Sequence, residues 1–431
     1  MNEYDFNRLI LGMPARKPDR KYKLYFLLGV LVGVMIMLLM VGGHRVYNRH
    51  FRWGGLDPSS KVMEIYSILN RHSIMPFSLD EMVDSMYRGL LDGVRDANTR
   101  YLSRVNFAAF HERMGGTFVG IGVQIIICPA DSKITVDTVF RDSPAEYAGI
   151  MRGDKFIAVD GRDVTGMSLQ EVVRLITGQE NTYVTISVYR ESTGERFDVE
   201  IVRARVEMPS VSLEIYDFLG LQIAYLRIAT FDQVTFGQFN HALDELIEEG
   251  AQALIIDVRN NSGGLLGTVN RITDRLIPEG VITFTEDALG QRVYHYSGEE
   301  YLGLPLVVLV NRQSASASEI LSGAVRDSGV GTVVGEQTFG KGTVQQTFRI
   351  SDGSAVQVTV QKYFTPSGES IENIGITPHI TVELEEEYRL RIGGDLAPED
   401  DVQLQAALQA AADKIGHYAA QILYRGEYNG E

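Results

Sequence analysis

Residues 305–329 read PLVVLVNRQSASASEILSGAVRDSG, an apolar run that passes through a polar turn into a serine-rich helix start. A short continuous run of Leu and Val bounded by turn residues marks a strand covered on both faces, and Ile320, Leu321, Ala324 and Val325 then recur at helical spacing. A buried strand feeding a helix is the repeating unit of a layered α/β domain. The neighbouring sequence repeats it: LQIAYLRI (221–228) and ALIIDVR (253–259) read as strands, FGQFNHALDELIEEG (236–250) and LLGTVNRITDRLI (265–277) as helices, and TVVGE (332–336) as a further strand. Residues 206–385 are therefore expected to form an α/β core.

The serines of the opening stretch carry the first candidate chemistry. SASE at 316–319 has the form of a capping box, and a cap alone is reason enough for a serine at that point. Position argues for more, because a turn after a buried strand lies at the carboxyl edge of the sheet, where α/β sites are built and helix N–H groups are at hand for an oxyanion. Ser316 is the nucleophile candidate, with Ser314 and Ser318 as neighbouring alternatives. Lys341 follows in GEQTFGK (335–341), which matches seven positions of a phosphate loop. The eighth is Gly342 instead of Ser or Thr, which leaves magnesium without its hydroxyl ligand, so nucleotide binding is set aside. As a base Lys341 needs its pKa brought down from near 10.4, and burial does that. Its flanking glycines let the backbone approach another group and turn the amine inward. Gln345 is placed to hydrogen-bond that amine. The turn in IIDVRNNSGGLL (255–266) ends another buried strand, so Gly264 N–H and Ala317 N–H are candidate oxyanion donors. No GxSxG elbow, HExxH pair or histidine in a triad motif competes.

Outward from this core, residues 114–205 alternate short β-type runs with helix-like pieces at Ser143–Ala148 and Ser168–Thr177. GIGVQI (120–125), RDSPAEYAGIMRGDKFIAVDG (141–161) and SLQEVVRLI (168–176) resemble a PDZ domain. The resemblance implies a carboxylate-binding loop at Gly120, Ile121, Gly122 and Val123, where backbone N–H groups hold a chain end and the peptide adds as a strand. Within an N-terminal helical region at 44–113, residues 60–113 carry apolar positions at helical spacing, with two amphipathic helices expected around Pro76 and Asp80 as an N-cap. Residues 386–431 hold a single amphipathic helix.

Leu24–Gly43 is an uncharged apolar stretch long enough to cross a bilayer core of roughly 30 Å. Arg8, Arg16, Lys17, Arg20, Lys21 and Lys23 precede it, against Arg45, Arg49 and Arg52 after it, which places residues 1–23 in the cytoplasm and the rest outside. An uncleaved anchor is expected over a cleaved signal peptide, because no AxA-like exit follows. The formal net charge of −16 argues against nucleic-acid partners, and the lone Cys128 excludes an internal disulfide.

Taken together, YLRIATF, LIIDVRNNSGG, NRQSASASEILSGAVRD, GEQTFGKGTVQ, DGSA and KYFTPSGESIENIGITPHI occur in the order of the C-terminal processing (tail-specific) peptidases, which the chain resembles over about residues 60–410. The resemblance implies a multi-domain α/β protein: membrane anchor, helical subdomain, PDZ domain, serine peptidase core and C-terminal helix. It implies Ser316 as nucleophile, Lys341 as base, Gln345 orienting the lysine, Gly264 and Ala317 as oxyanion donors, and no metal or cofactor. It further implies an ATP-independent endopeptidase of the bacterial inner membrane acting outside the cytoplasm on polypeptides with accessible C-termini, with a homo-oligomer or adaptor left open. A noncatalytic PDZ scaffold is the alternative. The family pattern is departed from at Ser262, where a proline is usual, at Thr177, where an arginine couples the PDZ domain to the site, and at Asp96, Ala97, Asn98 and Thr99, where DPHS is usual.

Overall fold

The computed structural model describes residues 58–389, 391–392 and 396–428. Leu24–Gly43 lies outside them, and no described helix is long and apolar enough to cross a membrane. Backbone contacts divide the chain into a unit that ends at Met82 and another that begins at Val83.

In the first unit helix Pro58–His72 is followed by a turn whose Phe77 meets Tyr66 of the helix edge to face, 6.3 Å between centroids. Helix Leu79–Asp92 spans the boundary. The Ser78 hydroxyl, 3.5 Å from Glu81 N–H, stands at its start, so Asp80 lies in the first turn instead of capping it. A carboxylate there still favours the helix through the exposed N–H groups.

In the second unit the PDZ-like part is an antiparallel sheet in the order Val123–Ile127, Ile134–Val139, Lys155–Val159, Tyr183–Arg190, Glu195–Val202, with the two-residue Arg162–Asp163 pairing beside Lys155–Val159. Helix Leu169–Ile176 is capped by Ser168 in a complete capping box with Glu171 and buries Val172 and Ile176. These join Ile121, Val136, Val184 and Ile186 in one core. Strand Val123–Ile127 is left at the sheet edge. A two-stranded ribbon, Thr117–Gly120 against Ala204–Glu207, carries the chain into and out of this domain.

The core domain has a six-stranded sheet in the order Val211–Phe218, Leu221–Ile228, Ala253–Asp257, Leu306–Val310, Gly331–Gly335, Ile380–Thr381, parallel throughout except at the first pair. Ala253–Asp257 and Leu306–Val310 are buried at every residue, as their unbroken apolar runs require. Helices Thr235–Glu248, Leu266–Asp274 and Ala317–Ser328 cover one face. Helix Val402–Tyr428 covers the other through Leu404, Ala407, Leu408 and Ala411. Each fully buried Leu, Ile or Phe in these layers stabilises the fold by roughly 1.5–3 kcal/mol. Helix Leu266–Asp274 stops short of Ile277 because Pro278 disfavours helical backbone in the residue before it. A second, antiparallel sheet joins Arg100–Leu102, Ala355–Phe364, Gly280–Asp287 and Arg292–Ser297, with Thr343–Arg349 also paired to Ala355–Phe364. It faces the head of helix Ala317–Ser328.

Candidate active site

Strands Ala253–Asp257 and Leu306–Val310 are parallel neighbours, so the turns that follow them lie side by side at one sheet edge. Asn261 ties the turns together. Its carbonyl accepts Ala315 N–H at 3.0 Å and the Ser318 hydroxyl at 2.9 Å, while its side chain accepts Gly263 N–H at 2.8 Å and donates to Ile228 O. Gly263 has to be glycine, since a Cβ there would stand 2.8 Å from Ser316 Cβ. The turn is held by Asn261 even though Ser262 stands where the family has proline.

The three candidate serines separate clearly. Ser314 is buried, donating to Val258 O at 2.8 Å and accepting Asn311 N–H at 2.9 Å. Ser318 is buried and bonded to Asn261. Of the three, Ser316 alone lines a cleft of about 440 Å³, and among the described residues its hydroxyl has no hydrogen-bonding neighbour but the Glu319 N–H of its capping box. Its backbone sits at φ 56°, ψ −112°, a conformation that costs a non-glycine residue about 1–3 kcal/mol. Gly264 and Ala317 line the same cleft, and neither N–H has an acceptor among the described residues.

Lys341 reaches the cleft from the loop before strand Thr343–Arg349. Gly342 lets that loop pass segment 372–375, since a Cβ there would come within 2.8 Å of Glu372 N. Among the described residues no hydrogen bond or ion pair holds the Lys341 amine. Burial lowers its pKa, and the Arg100 guanidinium lowers it further, against the opposing pull of Glu372, Glu319 and Asp96. Both effects favour the neutral amine.

Two buried side chains that the sequence did not single out as functional fix the serine turn to the lysine loop. One carboxylate oxygen of Glu319 accepts Ser316 N–H at 2.8 Å and Lys341 N–H at 2.9 Å; the other accepts Gly340 N–H at 2.7 Å and the Thr338 hydroxyl at 2.6 Å. Burial raises the Glu319 pKa while these four donors oppose the rise. Tyr363, also buried, donates its hydroxyl to Ser316 O at 3.1 Å and to Lys341 O.

Gln345 lines the cleft beyond a register break between Val344 and Gln345. Its amide donates to the hydroxyls of Thr343 at 3.0 Å and Thr359 at 3.4 Å, not to Lys341. Asp96 accepts from Thr99 and Asn98; Asn98 then reaches Thr343, and Thr99 accepts Thr359 N–H at 3.2 Å. The Asp96–Thr99 segment thus backs Gln345. His111 also lines the cleft but bonds to no serine and no carboxylate that could orient it as a triad base. In the PDZ part, Ile121 and Gly122 N–H have no protein acceptor, while their carbonyls are taken by Ala145 and Phe140 N–H.

These sequences and folds have known counterparts. Residues 222–382 match the model of peptidase family S41 and residues 135–190 that of the PDZ domain. The carboxyl-terminal-processing protease of Synechocystis is 36% identical, covering 86% of this chain and 85% of its own. The chain belongs to the carboxyl-terminal-processing proteases, PDZ-containing serine peptidases of family S41. Carboxy-terminal processing protease CtpA of Bacillus subtilis is 32% identical over 86% of the chain and 79% of its own length. Among solved structures, the photosystem II D1 C-terminal processing protease is 32% identical over 76% of the chain, with a TM-score of 0.44.

Proposed function

We propose that this processing protease works through a Ser316–Lys341 pair. The observation that carries the reading is the shared cleft: a serine hydroxyl on a strained turn and a half-buried amine with no partner among the described residues, fixed to each other by Glu319 and Tyr363. Neutral Lys341 takes the Ser316 proton as Oγ attacks the scissile carbonyl, the oxyanion forms against Gly264 and Ala317 N–H, and the lysine returns the proton to the leaving amine. Gln345 orients Lys341 after a rotation that releases Thr343 or Thr359. Substrate tails are presented by the PDZ loop Gly120–Val123, whose free N–H groups suit a terminal carboxylate. Leu24–Gly43 anchors the chain, and the catalytic part acts on polypeptides outside the cytoplasm.

The test is intact mass of an unfolded protein with an apolar C-terminus after incubation with the full chain or Ser316→Ala. Shortening by the wild type alone supports the assignment. Equal shortening by Ser316→Ala would remove Ser316 from the mechanism.

A further inference from the structure

The site concentrates positive charge in a chain whose formal net charge is −16. Arg100, His111, Arg113 and Lys341 line the catalytic cleft, and no carboxylate does. His111 is shared with a second hollow of about 500 Å³ that extends to the ribbon carrying the PDZ domain, where Arg104, Arg205 and Arg349 face a single acid, Glu112. All five arginines are exposed, and none belongs to an ion pair among the described residues. Neutral groups place them instead: Arg100 Nε donates to Gln357 Oε1 at 2.9 Å, Arg205 to Thr117 Oγ1 at 3.4 Å, and the Arg349 guanidinium lies 5.3 Å from the Phe107 ring. Some other arginines do have acidic partners, as Arg292 has Glu286, Arg312 has Glu336 and Arg326 has Glu369.

A polypeptide held by the PDZ domain and cut at Ser316 has to cross from the ribbon to the cleft, past these arginines. We propose that the passage selects substrates whose segment between the scissile bond and the held tail is acidic. This deepens the processing reading above and rests on it. Asp and Glu side chains supply the missing counter-charges, and a lysine-bearing segment is repelled, so discrimination comes from both signs. The segment lies on the C-terminal side of the cut, because the chain end is the part the PDZ domain holds.

The experiment uses the full chain and three peptides with one scissile region and one apolar tail, their intervening segment carrying Asp and Glu, Asn and Gln, or Lys. Expected is kcat/KM for the acidic peptide roughly ten-fold above the neutral one, the sum of two or three partly exposed ion pairs, with the lysine peptide slowest. The spread shrinks as salt rises. In the double variant Arg205→Glu/Arg349→Glu the order reverses in favour of lysine; should that variant fold poorly, the wild-type order and its salt dependence decide. Amidating the tail leaves the acidic preference in place. A preference that vanishes on amidation assigns the arginines to the chain end and overturns the proposal. Equal rates for all three peptides also overturn it while leaving the peptidase reading standing, and cleavage of none overturns both.

Discussion

At the residue scale the account rests on how Ser316 and Lys341 differ from their own kinds. Ser316 is the one serine of its turn that lines the cleft and is not buried in bonds to the neighbouring turn, and it is held at positive φ. Ser316→Gly relieves that strain, and Ser316→Ala does not. Urea unfolding is expected to find the glycine variant about 1 kcal/mol more stable than the alanine variant, with both inactive. In the proposed mechanism Lys341 acts as a base only when neutral, and burial and Arg100 lower its pKa. Activity therefore rises with pH through that lowered pKa and falls away on the acid side. Removing the neighbouring positive charge in Arg100→Gln raises the Lys341 pKa, so the acid limb of kcat/KM moves to higher pH; an unmoved limb speaks against Lys341 as the titrating base. The identities of both residues were legible in SASE and FGKG. The Arg100 contribution was not, because it depends on strand Arg100–Leu102 pairing with Ala355–Phe364, a contact no local pattern records.

At the scale of elements, the head of helix Ala317–Ser328 and the lysine loop are separate pieces joined by Glu319 and Tyr363. The capping-box pattern located Glu319 but explained only its bond to Ser316 N–H. The bonds to Gly340, Lys341 and Thr338 come from a loop that packs against the helix only in the folded chain. Glu319→Gln places an amide NH2 against N–H donors. Stability is expected to fall by about 2–3 kcal/mol, and kcat by more than about a hundred-fold as serine and base lose their relative position. Near-normal kcat in a folded Glu319→Gln protein would show that the staple is dispensable. Gln345 lines the cleft, but the break in register after Val344 turns its amide to Thr343 and Thr359, and a bulge of that kind depends on the partner strand, not on the local sequence.

Across the whole molecule, the sheet edge that holds the site is tied to the far face through a buried ionic cluster. Arg259, from the strand end that leads into the oxyanion turn, bonds Asp257, Asp401 and Gln403, and Asp401 in turn caps helix Val402–Tyr428 through Leu404 N–H. Asp401→Ala leaves the charge of Arg259 balanced by Asp257 but strips two of its buried N–H donors and Leu404 N–H of their acceptor, and is expected to cost about 2–4 kcal/mol in denaturant unfolding. The layered order of strands and helices was readable from apolar runs alone, whereas this cross-sheet tie was not, since Asp401 lies far along the chain from Arg259. The central claim is that the base is a lysine. Its most direct test is kcat/KM of Lys341→Met against wild type on one unfolded substrate, both proteins folded. The account predicts loss of about a thousand-fold or more, the share of a general base paired to its nucleophile. Turnover within a few-fold of wild type would contradict it.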